Sequence, residues 1–316
     1  MNNTYILSDN EKNKMYSLSF TLKDSCDHNI DVFLITAKYL SQELPENLKT
    51  FLKNFMNEYL TDDIAIIKNL PYDTKITTPE DNSHFIGENT ILSRCQTIIN
   101  EFIGEMVSYE AEAHGRFFQD MVPNKRLMKT QTSLGSKIEL ELHTEQAFSD
   151  LRPDFLCLSC LKGDENAKTY YLHVNDIINH LPSDNIDQLK QKLWDIGVDL
   201  SFIMNGCADN KRGPVSILEG KNLLFDQDLM VGHCDNSTQI IEKIVEIYYT
   251  YRKFYVLTPG DSLIINNNRL VHGRSSFEPN FDGNDRFIIR SFILNTLDKI
   301  KNKTGSHNRM ISIQHS

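Results

Sequence analysis

From Asn29 to Leu60, apolar residues recur at the three- and four-residue spacing of a helix face. Ile30, Val32, Phe33, Ile35, Tyr39, Leu40 and Leu44 form one series, and Leu48, Phe51, Leu52, Phe55 and Met56 a second. Pro45 divides them and starts the second helix. Asp63 to Asn69 is a compact apolar run that predicts a short strand, closed by Leu70-Pro71. Thr78-Pro79-Glu80-Asp81 carries the signature of a helix start, and Asn89 to Met106 is another long helical stretch. Gly115 and Pro123 punctuate a loop, while residues 1 to 30 are polar and show no core pattern.

Beyond Gln131 the pattern shifts to short β-like runs. These are Lys137–Leu142, Phe155–Leu161, Thr169–Val174, Ser201–Ile203, Val215–Glu219, Phe254–Leu257, Ser262–Asn266 and Asp285–Ile293. Turn residues separate them, among them Gly163-Asp164, Gly213-Pro214, Pro259-Gly260-Asp261 and Asp282-Gly283. Two helical inserts interrupt the series, Val174 to Ile196 (divided at Pro182) and Ser237 to Lys253. From Lys299 the chain is polar and reads as a poorly ordered tail. Many short strands with regular turns predict a mainly β, α+β fold: a jelly-roll core with flanking helices. No repeat or linker divides the chain, so one domain is expected over 1–316. It comprises a mostly helical part (1–130), the core with its inserts (131–298) and the tail (299–316).

Composition narrows the classes. The 316 residues are 40% hydrophobic and 24% charged, which allows a full core. The net charge of -10 points away from nucleic acid. No basic segment followed by an apolar stretch opens the chain, and no run of about 18 apolar residues exists, so neither a secretory leader nor a membrane span is expected. Six scattered cysteines are not a disulfide scaffold and suit a reducing cytoplasm.

Candidate chemistry starts at Glu141-Leu142-His143-Thr144-Glu145. In a strand, residues two apart share a face, so His143 and Glu145 can aim at one point. With one more histidine they make the two-His, one-carboxylate set of non-haem Fe(II) oxygenases, for which His272 is the best candidate. The small Gly273 beside it is expected to keep its surroundings open. The alternative is a surface His–Glu pair and an unrelated loop histidine. His233-Cys234-Asp235 is the rival motif, but it leads straight into a helix. His28, His307 and His315 lie in polar ends; His84, His173 and His180 lack a carboxylate two residues away; His114 and Glu112 fall in a helix or loop.

Arg286 and Arg290 are four apart on one predicted strand and share a face with Ile288. Two guanidiniums on an apolar strand either bind carboxylates bidentately or face solvent at an edge. Cys157 and Cys160 have CxxC spacing, but in a strand they face opposite sides, as buried apolar residues do. Asp226 and Asp228 can clamp a cation or stand as solvated loop acids.

Two blocks together, SLGSKIELELHTEQAFSDLRPDFLCLSCLKGDENAKTYY and LTPGDSLIINNNRLVHGRSSFEPNFDGNDRFIIRSF, resemble the clavaminate synthase-like Fe(II)/2-oxoglutarate-dependent dioxygenases. The similar region runs from Gln131 to Leu294, and the nearest branch acts on free asparagine, arginine or lysine. The resemblance implies that His143, Glu145 and His272 hold Fe(II). It implies that Arg286 and Thr169 anchor 2-oxoglutarate, and that Arg290 takes the substrate α-carboxylate. Ser133 matches a pocket residue, Glu145 also faces the substrate amine, and Asp226 and Asp228 meet a distal cationic group. Halogenating relatives replace the carboxylate ligand with a small residue, so the retained Glu145 implies hydroxylation, with O₂ as second cosubstrate. The Asp226–Asp228 and Asn205–Pro214 loops are the expected lids. The substrate is expected to be a free L-amino acid, basic or polar. A peptide or carrier-bound amino acid, and a non-catalytic metal-binding jelly roll, are the alternatives.

Overall fold

The computed structural model describes residues 1–22, 29–207 and 209–315, the last without its side chain; Cys26 and His28 lie outside the described residues. The N-terminal part interleaves strands β1 (Thr4–Ile6), β2 (Ile64–Lys68), β3 (Glu105–Tyr109) and β4 (Gln119–Met121) with helices α1 (Asp9–Thr21), α2 (Ile30–Leu40), α3 (Glu46–Met56) and α4 (Ile91–Ile103). There follow β5 (Leu140–His143), β6 (Phe155–Lys162), β7 (Thr169–His173), α5 (Val174–His180), α6 (Ser183–Leu189), β8 (Trp194–Gly197), α7 (Leu200–Met204), β9 (Lys211–Val215), β10 (Leu218–Glu219), β11 (Asn222–Leu223) and β12 (Met230–Gly232). The chain ends with α8 (Asp235–Tyr251), β13 (Lys253–Tyr255), β14 (Ser262–Asn266), β15 (Leu270–Arg274), β16 (Phe287–Leu294), α9 (Asp298–Thr304) and β17 (Met310–Ile311).

One sheet runs β1-β2-β14-β6-β16-β3-β17, with β4 also paired to β16. A second runs β13-β7-β15-β5. Their shared layering follows from strand parity. In β6, Leu156, Leu158 and Cys160 join the core packed with Leu142, Leu172 and Val271 of the second sheet. Phe155, Cys157 and Leu161 point the other way, into the core built by α1–α4. β2, β14 and β16 alternate in the same manner, with Ile264 and Ile289 on the helical side and Leu263 and Ile288 on the other. The helices therefore cover one face of the large sheet and leave its other face to the small one. α4 is buried almost all round, and its Gln96 and Asn100 amides each donate to Ser291 Oγ at 2.8 Å.

Several expectations need correction. Residues 1 to 30 contain β1 and α1; Ser8 and Glu11 form a capping box, and Met15 and Leu18 are buried. Their polar neighbours hide so narrow an apolar stripe. The helix predicted from Thr78–Asp81 is absent, because Thr78 instead donates to Gly283 O and Asp285 O. Ser201–Ile203 is helical, within α7, capped by Asp199, whose carboxylate accepts from Ser201 N at 2.8 Å. The insert expected to stay helical to Ile196 stops at Leu189; Trp194 and Ile196 alternate with Asp195 and Gly197 as β8. The expected tail forms α9 and β17, burying Ile300 and Ile311. No helix among the described residues is long and apolar enough to cross a membrane.

The tail is held by charge as well. Arg309 Nη1 donates to Glu101 Oε1 at 2.6 Å, and Glu101 is fully buried. Removing one partner of a buried pair strands the other charge. Arg309→Ala is therefore expected to cost about 3 kcal/mol in urea denaturation; an unchanged midpoint would show that the tail merely rests on β3.

Candidate active site

β15 and β5 pair antiparallel with His272 directly opposite His143, and their ring centroids lie 4.4 Å apart. Past His143 the chain bends. Thr144 N donates to Phe225 O at 2.7 Å, and the next residue, Glu145, is bound on both sides of its peptide. Asn267, in the β14–β15 turn, accepts from Glu145 N at 2.7 Å and donates to Glu145 O at 3.1 Å and Pro153 O at 2.8 Å. The ligand atoms of His143, Glu145 and His272 thus lie within 4.8 Å of one another, and no other such group occurs among the described residues.

Their protonation suits a cation. His143 Nδ1 lies 2.8 Å from Glu141 O, which assigns the proton to Nδ1 and leaves Nε2 with its lone pair. Burial drives His272 down to about 4, so it is neutral. Burial alone would raise Glu145, but Arg290 and the two histidines outweigh it and hold the carboxyl at about 2. Glu145 Oε2 and His272 Nδ1 are buried without hydrogen-bond partners, and Oε2 stands 3.7 Å from His272 Nε2. Two imidazoles and an ionised carboxylate with a bare oxygen fit a divalent transition metal with positions left open.

Two other histidines are occupied by acids. His173 Nε2 meets Asp63 at 2.9 Å in a buried network with Arg269, and His233 pairs with Asp195 at 3.0 Å on the surface. The His233-Cys234-Asp235 motif gathers no third ligand among the described residues. Cys157 and Cys160 face opposite cores, and burial pushes both thiols up to about 12.

Behind the triad, a narrow recess is lined by Ser133, Thr169, Arg274, Arg286, Ile288 and Arg290. β16 lies inside the large sheet, so neither Arg290 within it nor Arg286 just before it is an edge charge. Arg286 is 7% exposed, and no carboxylate pairs with it among the described residues. Burial lowers its guanidinium to about 10, and the guanidinium carbon lies 5.9 Å from the centre of the Phe277 ring. A buried guanidinium without an acid calls for an anion. Arg290 is shared: Nε donates to Gln119 Oε1 at 2.8 Å, Nη1 to Glu145 Oε1 at 3.1 Å, and Glu112 Oε2 is 3.6 Å from Nη2. Burial pushes Glu112 up to about 7, against the pull of Arg290.

In front, the site opens into a wider cleft of ≈ 670 Å³ that Asp226, Asp228 and Glu141 line together with Ser133. Asp226 bridges to His143 through its backbone, and its Oδ1 accepts from Asp228 N and Leu229 N, each at 2.9 Å. Burial raises its carboxyl, while Asp228 is exposed. α7 borders this cleft through Leu200, Ser201 and Met204; of the Asn205–Pro214 stretch, only Asn205 lines the cleft, part of the rest is in β9, and Ala208 lies outside the described residues.

The structure thus assembles all nine singled-out positions (Ser133, His143, Glu145, Thr169, Asp226, Asp228, His272, Arg286 and Arg290) around one recess and cleft. Sequence reasoning missed Glu112, Gln119, Asn267 and Arg274. Arg274 closes the H-G-R run and spends its donors on the carbonyls of Ser275, Ser133 and Ile138. Asn267 sits in the Asn266-Asn267-Asn268 turn, a visible but unspecific signal. Nothing in spacing links Glu112 or Gln119 to Arg290.

No family model matches the chain. It is 41% identical to an L-lysine 3-hydroxylase of Catenulispora acidiphila over 292 residues, 90% of this chain and 82% of that protein. It is 26% identical to an L-asparagine oxygenase of Streptomyces coelicolor over 263 residues, 80% and 77% of the two chains. Among solved structures, asparagine oxygenase in complex with Fe(II), 2S,3S-3-hydroxyasparagine and succinate superposes with a TM-score of 0.91 at 22% identity, covering 98% of this chain and 99% of that one.

Gly273 does not keep the site open, as its size suggested. A methyl group there would stand 2.5 Å from Leu140 O and 2.8 Å from Tyr248 Oη, so the glycine lets β15 close on β5. Gly273→Ala is expected to push His272 away from His143 and weaken Fe(II) or Co(II) binding at least about 10-fold in calorimetric titration. Equal affinity would mean that the strands have room to spare.

Proposed function

Because this chain belongs to the clavaminate synthase-like Fe(II)/2-oxoglutarate-dependent oxygenases, in the branch that hydroxylates amino acids, we propose that it hydroxylates an unactivated C–H bond of a free basic L-amino acid, with L-lysine the first candidate. The reaction consumes 2-oxoglutarate and O₂ and yields the hydroxyamino acid, succinate and CO₂. The observation that carries this reading is one recess in which His143, Glu145 and His272 converge beside two guanidiniums, the buried Arg286 and the partly buried Arg290. A metal-storage site has no use for the second pair.

His143, Glu145 and His272 would hold the iron, which supplies the C–H oxidation when bound. Arg286 gives the distal carboxylate of 2-oxoglutarate a bidentate partner in a dry pocket, and the Thr169 hydroxyl adds a donor. Arg290 meets the substrate α-carboxylate, exchanging part of its contact with Glu145 and Gln119 for it. Glu145, ionised and faced by Arg290, lies on the side where the substrate amine enters. Ser133 lines the wall, and Asp226 and Asp228 offer the side-chain ammonium two acids. The chemistry is then directed by holding the substrate at both ends, which leaves one stretch of methylenes by the metal.

The two sheets packed through a common core support a double-stranded β-helix as the finer description of the fold, within a single catalytic unit. The reduced, mostly buried cysteines suit the cytoplasm. The α7 segment and the Asp226–Asp228 loop are the parts placed to cover a bound substrate.

Incubation with Fe(II), 2-oxoglutarate and a panel of free amino acids is expected to release succinate most strongly with L-lysine, with a product heavier by one oxygen in mass spectrometry. Succinate release driven only by peptidyl or carrier-bound amino acids would replace the free-substrate reading. Asp226→Asn is expected to raise KM for the cationic substrate about 10-fold or more, with kcat less affected. An unchanged KM in Asp226→Asn and in Asp228→Asn would make the pair a solvated loop.

A further inference from the structure

Gln146 follows Glu145 directly, and the reaction as described gives it no part. Its φ of 51° lies in the left-handed region that residues with a side chain seldom adopt. Such a conformation persists where the surroundings over-determine it, and it concentrates at ligand sites. Here Ala147 and Phe148 are buried in the core just beyond, and Ser149 N donates to Gln146 O at 2.8 Å, closing a turn. The turn delivers the side chain to the cleft that Glu145, Arg290 and Asp226 also line.

The side chain is 5% exposed, yet neither Nε2 nor Oε1 has a hydrogen-bond partner among the described residues. A primary amide offers two donors and an acceptor with two lone pairs. Leaving all of them dry is costly, and nearly all buried polar groups in folded proteins find partners. Methionine or leucine would fill the same space without that cost. A packing role therefore does not account for glutamine here, whereas a ligand that completes the amide does.

The chemistry of the ligand follows from what already surrounds it. The head of a free α-amino acid carries a carboxylate, which accepts, and an ammonium, which donates three ways. Arg290 provides for the carboxylate, but one guanidinium cannot serve the ammonium. Glu145, which also meets His272 and Arg290, can take one N–H of the ammonium and leaves its other donors to be met. A neutral amide can meet both halves of the zwitterion without adding charge beside the triad. We propose that Gln146 reads the α-amino acid head group of the substrate, Oε1 accepting from the α-ammonium and Nε2 donating to the α-carboxylate that Arg290 holds. The inference rests on the amino-acid hydroxylase reading and assigns it the residue that tells an α-amino acid from a plain ω-amino acid.

The test compares wild type with Gln146→Met and Gln146→Leu. Three quantities are read: the unliganded melting temperature, its rise on adding L-lysine with the metal and 2-oxoglutarate present without O₂, and KM for L-lysine against 6-aminohexanoate, the same chain without the α-amine. In both variants the unliganded melting temperature should hold or increase. The lysine-induced rise should collapse, and KM for L-lysine should climb about 10- to 100-fold, as loss of one or two hydrogen bonds to a charged head group implies. KM for 2-oxoglutarate should stay the same, and the preference for L-lysine over 6-aminohexanoate should fall. A lowered melting temperature with an unchanged KM would make Gln146 a packing residue and overturn the assignment. So would an unchanged preference between the two substrates. Wild-type protein that neither turns over nor is stabilised by any amino acid would overturn the hydroxylase reading itself, and this assignment with it.

Discussion

The site depends on one register, the antiparallel pairing of β15 with β5 that sets His272 against His143. Shifting either strand by one residue would turn its histidine to the opposite face, because side chains alternate along a strand. Two features hold that register. Gly273 permits a closer approach than any side chain would, and the Asn267 side chain ties the peptide of Glu145 to the turn that starts β15. The loop bearing the carboxylate and the strand bearing the second imidazole therefore move as one piece. Preorganisation of this kind holds the three side chains convergent.

The second constraint is electrostatic. Arg290 on β16 and Arg286 just before it face inward in the middle of a sheet, where unpaired charge is expensive. Arg290 is balanced within the protein by Glu145, with Glu112 close by, so its charge also keeps the Glu145 carboxyl ionised beside two histidines. Arg286 has no such balance among the described residues and sits deeper, beside Arg274. The recess thus holds a surplus of positive charge at its base, while Glu141, Asp226 and Asp228 make the outer wall acidic. By charge alone, this polarity favours a carboxylate at the base and a cationic group at the outer wall.

Much of the fold was legible where apolar spacing is strong. α2 and α3 divide at Pro45, and β6, β14 and β16 follow their apolar runs. Legibility failed where burial is thin or borrowed. α1 buries only a few residues, α7 is a single capped turn around Phe202, and β17 exists because β3 offers it an edge. β15, which carries His272, is not among the runs the pattern predicts, since its polar His272, Gly273 and Arg274 mask its extended backbone. Its partners make it a strand.

The sequence by itself determined the kinds of chemistry available: two histidines and a carboxylate, an arginine pair of shared parity, paired acids, and cysteines too dispersed to cooperate. Parity alone was enough to put Arg286, Ile288 and Arg290 on one side and to separate Cys157 from Cys160, because the strand period is local. Tertiary structure decided which of these groups meet. Only the folded chain brings Glu112 and Gln119 to Arg290, clamps Glu145 with Asn267, and leaves the Gln146 amide buried and unpartnered beside the cleft. Such partnerships join residues far apart in the chain, and burial changes a side chain's chemistry only once its neighbours have removed the water.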